Sequence, residues 1–301
     1  MKTRWLIGLA GFIAAWFFVN GYSSCAAEKE LRIIAFGAHP DDCEIRVGAC
    51  AAKWAKLGHK VKFVSATNGD IGHSVMAGGP LALRRTREVE EAAKILGIET
   101  QVLDIHDGEI MPTLENRKMF IRLIREWNAD IVITNRPNDY HPDHRYTSIL
   151  VQDAAFMVTV PFICPDSPPM KKNPVFLYWP DRFQKPYPFT PDIAVGIDDV
   201  VEQAFHALER LRSQFQEQGA GGNGDPASFF QGDEKASLEF TKNRFDGRLR
   251  AQDSWRPLLE KFYGKKEAAK IKYAQAFELC EYGRSPSKEE WMQLFPFFPK
   301  E

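Results

Sequence analysis

The chain has 301 residues, of which 44% are hydrophobic and 26% are charged, and its formal net charge is −1. These values are typical of a globular protein, and the length suits one large domain or one domain with a small appendage. Because the charges nearly balance and no run of basic residues stands out, the composition gives no electrostatic case for nucleic-acid binding.

The first 26 residues have the pattern of an export leader. Lys2 and Arg4 precede an apolar stretch at residues 6–19, which is too short to span a membrane comfortably. Cleavage after Ala26 predicts a signal peptide over residues 1–26 and an exported protein, periplasmic or extracellular. Two alternatives stay open: a bacterial lipoprotein anchored through lipidated Cys25, and an uncleaved N-terminal anchor.

Predicted strands and helices alternate between residues 32 and 158. The predicted strands are residues 32–38, 61–67, 100–105 and 130–135, and the predicted helices are residues 47–57, 81–96, 114–127 and 143–158. Short apolar runs rich in β-branched residues indicate the strands, and apolar residues at helical spacing indicate the helices. The alternation predicts βαβ units in an α/β, Rossmann-like three-layer fold with a mainly parallel sheet.

The second half of the chain is richer in proline and aromatic residues, and its elements are less regular. Further predicted strands are residues 175–179 and 193–197, and further predicted helices are residues 200–218, 255–262 and 265–281. A glycine-rich loop begins near residue 219. We therefore predict a main domain over residues 31–220, followed over residues 221–301 by a loop and a helical C-terminal extension that packs on it.

Two histidine motifs follow the first and fourth predicted strands: HPDD at residues 39–42 and HPDH at residues 141–144. Ionisable groups at a strand end are costly to bury unless they are partnered, and a cation removes that cost. Two imidazoles and one carboxylate leave an open position on a zinc-type ion, so His39, Asp42 and His144 are the predicted metal ligands. Zn²⁺ suits this set, and Fe²⁺ suits it as well.

Neighbours of these ligands are the predicted catalytic residues. Asp41 is placed to act as general base toward water that the metal activates. A protonated His141 would stabilise the oxyanion and deliver a proton to the leaving amine, while Asp143 would hold that imidazole charged and oriented. For Asp143, a helix-capping role stays open as an alternative. Asp70, after the second predicted strand, is expected to line the substrate pocket.

The sequence resembles the PIG-L/LmbE-like family of zinc-dependent N-acetylglucosamine deacetylases from about residue 31 to about residue 215. The segments that carry the resemblance are FGAHPDDCE at 36–44, TNGD at 67–70, the Arg85-x-x-Glu88 helix and HPDHR at 141–145. The resemblance implies the ligand, base and oxyanion roles given above. It adds Arg85 as a substrate-binding residue, for which a surface ion pair with Glu88 is the alternative.

The sequence departs from the family pattern at two places. Many members carry Glu directly after the two aspartates, where this chain has Cys43 followed by Glu44. Some members place a tyrosine two residues before HPDH. Asp139 stands at that position here, and the adjacent Tyr140 is the candidate substrate-binding residue in its place.

The resemblance implies metal-dependent hydrolysis of an N-acetyl group on an N-acetylglucosamine-type sugar or glycoconjugate, a small-molecule substrate. Two alternatives stay open: a metal-dependent hydrolase of another amide or a phosphoester, and a non-catalytic glycan-binding module. No nucleic-acid partner is expected, and membrane contact is expected only through lipidated Cys25. Assembly of the chain into an oligomer is a further possibility that the sequence leaves open.

Overall fold

The computed structural model describes residues 29–299. The predicted leader at residues 1–26, with its alternative of lipidation at Cys25, lies outside the described residues and stays a prediction. Among residues 29–299, no helix has both the length and the apolar character needed to cross a lipid bilayer.

The strands form a mostly parallel sheet. In chain order they are β1 (Arg32–Gly37), β2 (Lys60–Ser65), β3 (Glu99–Val102), β4 (Ile131–Thr134), β5 (Val175–Tyr178), β6 (Ile193–Gly196) and β7 (Ala274–Cys280). Within the described part of the chain, the order across the sheet is β3-β2-β1-β4-β5-β7-β6. The first five strands of that order run parallel, and β7 is antiparallel to both of its neighbours. The predicted fold class is confirmed.

Helices cover both faces of this sheet. They are α1 (Asp42–Lys56), α2 (Gly79–Leu96), α3 (Leu114–Trp127), α4 (Pro142–Met157), α5 (Val201–Glu209), α6 (Arg212–Phe215), α7 (Glu234–Leu249), α8 (Arg256–Tyr263), α9 (Lys265–Ala268) and α10 (Lys288–Leu294). Alternate residues of β1 point to opposite faces, as a strand requires. Ile33 and Ala35 belong to the core with α1, α2 and α5, whereas Ile34 and Phe36 belong to the core with α3 and α4.

The strand order brings the two histidine motifs together. β1 lies between β2 and β4, and Phe36 of β1 pairs with Thr134 of β4 near the ends of both strands. The loops that leave β1 and β4 therefore start side by side. In open α/β sheets, ligands bind in the crevice at such a point, where the strand order changes direction.

The C-terminal extension contains helices, as predicted, but it also supplies a strand to the sheet. The helix predicted over residues 265–281 was wrong: α9 ends at Ala268, and β7 occupies Ala274–Cys280. Alanine, glutamate and leucine favour helices, yet this segment lies between β5 and β6, where Ala276 and Phe277 are fully buried. Helix propensities of ordinary residues differ by at most about 0.7 kcal/mol per residue. Burial and hydrogen bonds to two neighbouring strands outweigh this preference.

Candidate active site

The three predicted metal ligands converge at the ends of β1 and β4. His39 Nδ1 lies 3.2 Å from His144 Nε2. Asp42 Oδ2 lies 3.7 Å from His39 Nδ1 and 3.6 Å from His144 Nε2. Three ligands at about 2.1 Å from a tetrahedral ion would stand roughly 3.4 Å apart. The observed spacing therefore suits a single zinc-type ion at the centre of these atoms.

Backbone geometry after β1 fixes the carboxylate of Asp42. Its Oδ2 accepts hydrogen bonds from the backbone N–H groups of Ala38 and His39, each at 2.9 Å. Gly37 makes this close approach feasible, because a Cβ there would lie 2.7 Å from Asp42 Cβ. Asp42 also begins α1, and the helix dipole favours a negative charge at that end.

Acidic side chains behind the two histidines orient their rings. His39 Nε2 lies 3.0 Å from Asp107 Oδ1 and 3.4 Å from Asp143 Oδ2. His144 Nδ1 lies 3.0 Å from Asp139 Oδ1. Each ring therefore turns its other nitrogen toward the centre of the site, as metal-binding histidines backed by carboxylates do. The sequence analysis did not assign this role to Asp107 or Asp139.

The surrounding charges favour a cation at the centre of the cluster. Burial alone lowers the pKa of His39, but the carboxylates of Asp107 and Asp143 outweigh it and raise that pKa to about 10. Burial likewise lowers the pKa of His144, and Asp42 reverses the effect and raises it. A site that holds protons on its imidazoles this strongly stabilises positive charge, which a divalent ion also supplies.

Two other groups of side chains in residues 29–299 bring metal-ligating atoms together. They are His39 with His141 and His144, and His39 with Asp107 and Asp143. The second group is closed, because Asp143 is fully buried behind His39, and a catalytic ion needs an open position. The first shares two members with the predicted set, so Asp42 and His141 are the rival third ligands. Asp42 adds a negative charge, which strengthens the binding of a divalent ion, and His141 does not.

Asp41 lies beside the predicted ligands and is buried. Burial and the neighbouring charge of Asp42 raise the pKa of its carboxyl, which favours a general base. Arg85 Nη2 lies 3.6 Å from Asp41 Oδ2 and also donates to the carbonyl oxygen of Pro40. Arg85 borders the pocket, as predicted, but its contacts are with the base and the backbone. Its predicted role in substrate binding stays untested.

His141 caps the N-terminus of α4. Its Nδ1 accepts a hydrogen bond of 3.2 Å from the backbone N–H of Asp143, which leaves the proton of a neutral ring on Nε2. Burial, together with the charges of His39 and His144, lowers the pKa of His141. Both observations oppose the predicted protonated state.

The Asp143 carboxylate has other direct partners than His141, although its charge opposes the lowering of the His141 pKa by burial, and its predicted catalytic role stays a prediction. The Asp143 carboxylate accepts from the backbone N–H of Gly108 at 2.7 Å and faces His39. The capping alternative for Asp143 was wrong, because His141 holds that position. Asp143 follows the cap inside the first turn of α4, so its side chain points inward to the loop after β3 rather than back toward residue 141.

Asp70 and Tyr140, two predicted substrate-binding residues, have different surroundings. Both oxygens of Asp70 have protein partners, because Oδ2 lies 2.6 Å from His106 Nδ1 and Oδ1 accepts from the backbone N–H of Asp107 at 3.1 Å. The structure therefore corrects the expectation for Asp70, which joins the loops after β2 and β3. Tyr140 is 74% exposed at the rim of the pocket, and its predicted role stays a prediction.

The cluster opens into a pocket with a cavity volume of about 1010 Å³. His39, Asp41 and His144 border this pocket, and so does the segment from Trp179 to Phe183. Residues of α7, a helix that the sequence analysis missed, also border the pocket. Pockets of this size and concave shape bind small molecules.

Comparisons with known proteins agree with these observations. The family model described as PIG-L, GlcNAc-PI de-N-acetylase, matches residues 34–155. The chain is 30% identical to the diacetylchitobiose deacetylase of Thermococcus kodakarensis over 197 residues. This aligned region covers 62% of this chain and 71% of that protein. The chain belongs to the PIG-L family. Members of this family include deacetylases, and the predicted family is confirmed.

Solved structures extend the fold of this PIG-L protein to most of its length. The N,N′-diacetylchitobiose deacetylase of Pyrococcus horikoshii superposes with a TM-score of 0.62 at 22% identity, over 86% of this chain and 88% of that one. GalB of Pseudomonas putida KT2440, a 4-carboxy-2-hydroxymuconate hydratase, superposes with a TM-score of 0.61 at 17% identity, over 86% and 99%. These likenesses show the fold alone, and the reaction must be argued from the site.

Proposed function

We propose that this PIG-L protein is a zinc-dependent N-deacetylase that removes the acetyl group of an N-acetylglucosamine-type sugar. The convergence of His39, Asp42 and His144 within 3.7 Å of one another carries the proposal. Asp41 and His141 border the same pocket, which gives the cluster a base and a hydrogen-bond donor. The substrate of the Thermococcus kodakarensis relative, diacetylchitobiose, supports an acetylated amino sugar.

His39, Asp42 and His144 would hold the ion. When bound, a zinc-type ion supplies a Lewis acid that polarises the acetyl carbonyl and lowers the pKa of water. Nitrogen and oxygen donors in this ratio suit Zn²⁺, and Fe²⁺ is the alternative that metal analysis would detect.

The reaction needs a base, a donor to the oxyanion and a proton for the leaving amine. Asp41 takes a proton as the oxygen of water bonds to the acetyl carbon. The Nε2–H group of neutral His141 donates a hydrogen bond to the oxyanion that forms. The carbon–nitrogen bond then breaks, Asp41 returns its proton to the amine, and acetate leaves. One water is consumed for each free amine and acetate produced.

Acetate release tests this proposal. We expect equal amounts of acetate and free amine from diacetylchitobiose or methyl N-acetylglucosaminide, and no phosphate from p-nitrophenyl phosphate. Chelation should abolish turnover and Zn²⁺ should restore it. Asp41→Asn should retain about one metal ion per chain yet lose roughly 10²–10⁴-fold in kcat, the usual contribution of a general base.

Other outcomes would support a different function. Phosphate release without acetate would support a phosphoesterase, and stoichiometric metal without turnover of either substrate class would support a binding module. Full activity in Asp41→Asn would remove Asp41 from the mechanism while leaving the deacetylase proposal in place.

A further inference from the structure

The pocket that holds the predicted metal site also contains a cluster of arginines. Four arginines border it, of which Arg46 belongs to α1, Arg182 follows β5, and Arg244 and Arg248 lie one turn apart on α7. They thus come from three separate segments of the chain and meet at one cavity. Single exposed arginines need no explanation, but four around one pocket do.

The acidic residues of the pocket act on these arginines through space, but their direct contacts are with other groups. Asp41 faces Arg85, Asp107 faces His39, and Asp139 faces His144. Asp181 lies 3.3 Å from buried Arg136, and Asp42 belongs to the predicted metal site. In the described part of the chain, none of the four arginines comes within 4.0 Å of a carboxylate oxygen.

The four guanidinium groups act on one another. Partial desolvation, followed by the charges of Arg46, Arg244 and Arg182, lowers the pKa of Arg248. Desolvation and Arg182 lower the pKa of Arg46 as well, although Asp42 and other acids oppose this. Like charges gathered without a carboxylate in direct contact are unfavourable, and a bound anion would relieve the repulsion.

Aromatic rings support the two arginines of α7. The guanidinium of Arg244 lies 5.7 Å from the ring centre of Phe215, and that of Arg248 lies 5.2 Å from the ring centre of Phe245. Gly247, between them, has no atom within 4 Å of where a Cβ would be, so this face of α7 is open to the pocket. Planar guanidinium groups held in this way match the geometry of carboxylates and phosphates.

We propose that the substrate carries an oxyanion, either a carboxylate or a phosphate, beside its acetylated sugar, and that Arg46, Arg182, Arg244 and Arg248 bind it. The proposal rests on the deacetylase function, because it assigns the acetamido group to the predicted metal site, which borders the same pocket.

Matched substrates test this inference. N-acetylglucosaminyl-glucuronic acid and N-acetylglucosaminyl-glucose differ only in one carboxylate, and N-acetylglucosamine 1-phosphate supplies the phosphate arm. We expect the enzyme to prefer at least one anionic substrate roughly tenfold or more in kcat/KM, the effect of a strong charged hydrogen bond. In the double variant R244Q/R248Q, that preference should fall at least about fivefold.

Arg250→Gln is the control. Arg250 follows α7 and pairs with Asp246 outside the pocket, so this change removes one positive charge near the same helix and should leave the preference intact. Equal use of neutral and anionic substrates by the unaltered enzyme would overturn the inference, and so would a preference that survives in R244Q/R248Q. Metal content and thermal melting establish that each variant is folded.

Calorimetry separates failure of this inference from failure of the proposed function. If no substrate releases acetate, the deacetylase proposal fails, while binding of N-acetylglucosamine 1-phosphate and of the glucuronic acid disaccharide is still measurable. Binding that weakens about tenfold in R244Q/R248Q but not in Arg250→Gln would support an oxyanion site. The absence of any difference between the two variants would overturn it.

Discussion

His39 joins the two sides of the candidate site. Its Nδ1 faces the predicted metal position, and its Nε2 faces the carboxylates of Asp107 and Asp143. A histidine that donates to a carboxylate is held in one tautomer and becomes a more basic ligand. The charge on Asp107 should therefore affect the metal even though Asp107 does not touch it.

Asp107→Asn tests that coupling. We expect zinc affinity, measured by competition with a chromogenic chelator, to fall about 10–100-fold, because the ring of His39 loses its charged partner. Asp104→Asn, on the same loop but exposed, is the control and should bind zinc as the unaltered protein does. Equal affinities in the two variants would show that Asp107 has only a structural role.

Metal content distinguishes Asp42 from His141 as the third ligand. Asp42→Asn removes the negative charge of the cluster, and we expect it to be purified with little zinc. His141→Gln should retain about one zinc per chain and lose most turnover, because it removes the donor to the oxyanion. If zinc is instead lost from His141→Gln and kept by Asp42→Asn, the ion is bound by His39, His141 and His144.

The ligands were predictable from sequence, and their supporting acids were not. HPDD and HPDH place several ionisable groups within four residues of one another, and that density indicates a metal site without any knowledge of the fold. Asp107 and Asp139 act through contacts between separate loops, which depend on strand order. The order β3-β2-β1-β4 sets those contacts, and local periodicity does not encode it.

At the scale of elements, the turn between β1 and α1 is the most constrained part of the site. Asp42 is both the first residue of α1 and the acceptor of two backbone hydrogen bonds from the loop that precedes it. The loop can close this tightly only because Gly37 has no side chain. The geometry of the predicted metal ligand thus depends on the last residue of a strand.

Gly37→Ala should damage the site through this turn. The added Cβ would lie 2.7 Å from Asp42 Cβ, so the carboxylate must shift. We expect a loss of about 1–3 kcal/mol in urea unfolding, as for other overpacked positions, together with weaker zinc binding. Gly79→Ala, at the start of α2 with open space around its Cβ, should change neither quantity appreciably. Unchanged zinc affinity in Gly37→Ala would mean that the turn tolerates a wider loop.

Helices and strands whose apolar residues recur at a regular spacing were predicted well, and those that depend on tertiary packing were not. The helix predicted at residues 114–127 matches α3 (Leu114–Trp127), which has a polar face and a buried face. α7 was missed because its apolar residues do not gather on one side, and only its N-cap, Asp233, marks its start. β7 was taken for a helix because its neighbours β5 and β6, which make it a strand, are more than seventy residues away in the chain.

For the whole molecule, the C-terminal extension completes the pocket that the family domain begins. β7 joins the sheet, and Glu278 at its end lies 3.9 Å from buried Arg136, which follows β4. α7 packs on α5 through a buried polar contact in which the Ser237 hydroxyl donates to Glu209. The positions of Arg244 and Arg248 relative to the predicted metal site therefore depend on how firmly α7 is held.

Glu209→Gln should loosen α7 in a pH-dependent way. Burial raises the pKa of Glu209, but hydrogen bonds from Ser237 and Arg212 outweigh it and lower that pKa below its usual value. A carboxyl whose pKa is lower in the folded state stabilises the fold above its unfolded pKa of about 4.5, and this stabilisation is lost as the pH falls. Urea unfolding at pH 7 should therefore show a loss of about 1–3 kcal/mol in the free energy of unfolding of the variant, and this loss should shrink at pH 4.

Glu202→Gln is the control. It removes an exposed pair with Lys242 between the same two helices, and the free energy of unfolding should fall by less than about 1 kcal/mol. A deficit in Glu209→Gln that is equally large at both pH values would show that the charge of Glu209 does not hold α7.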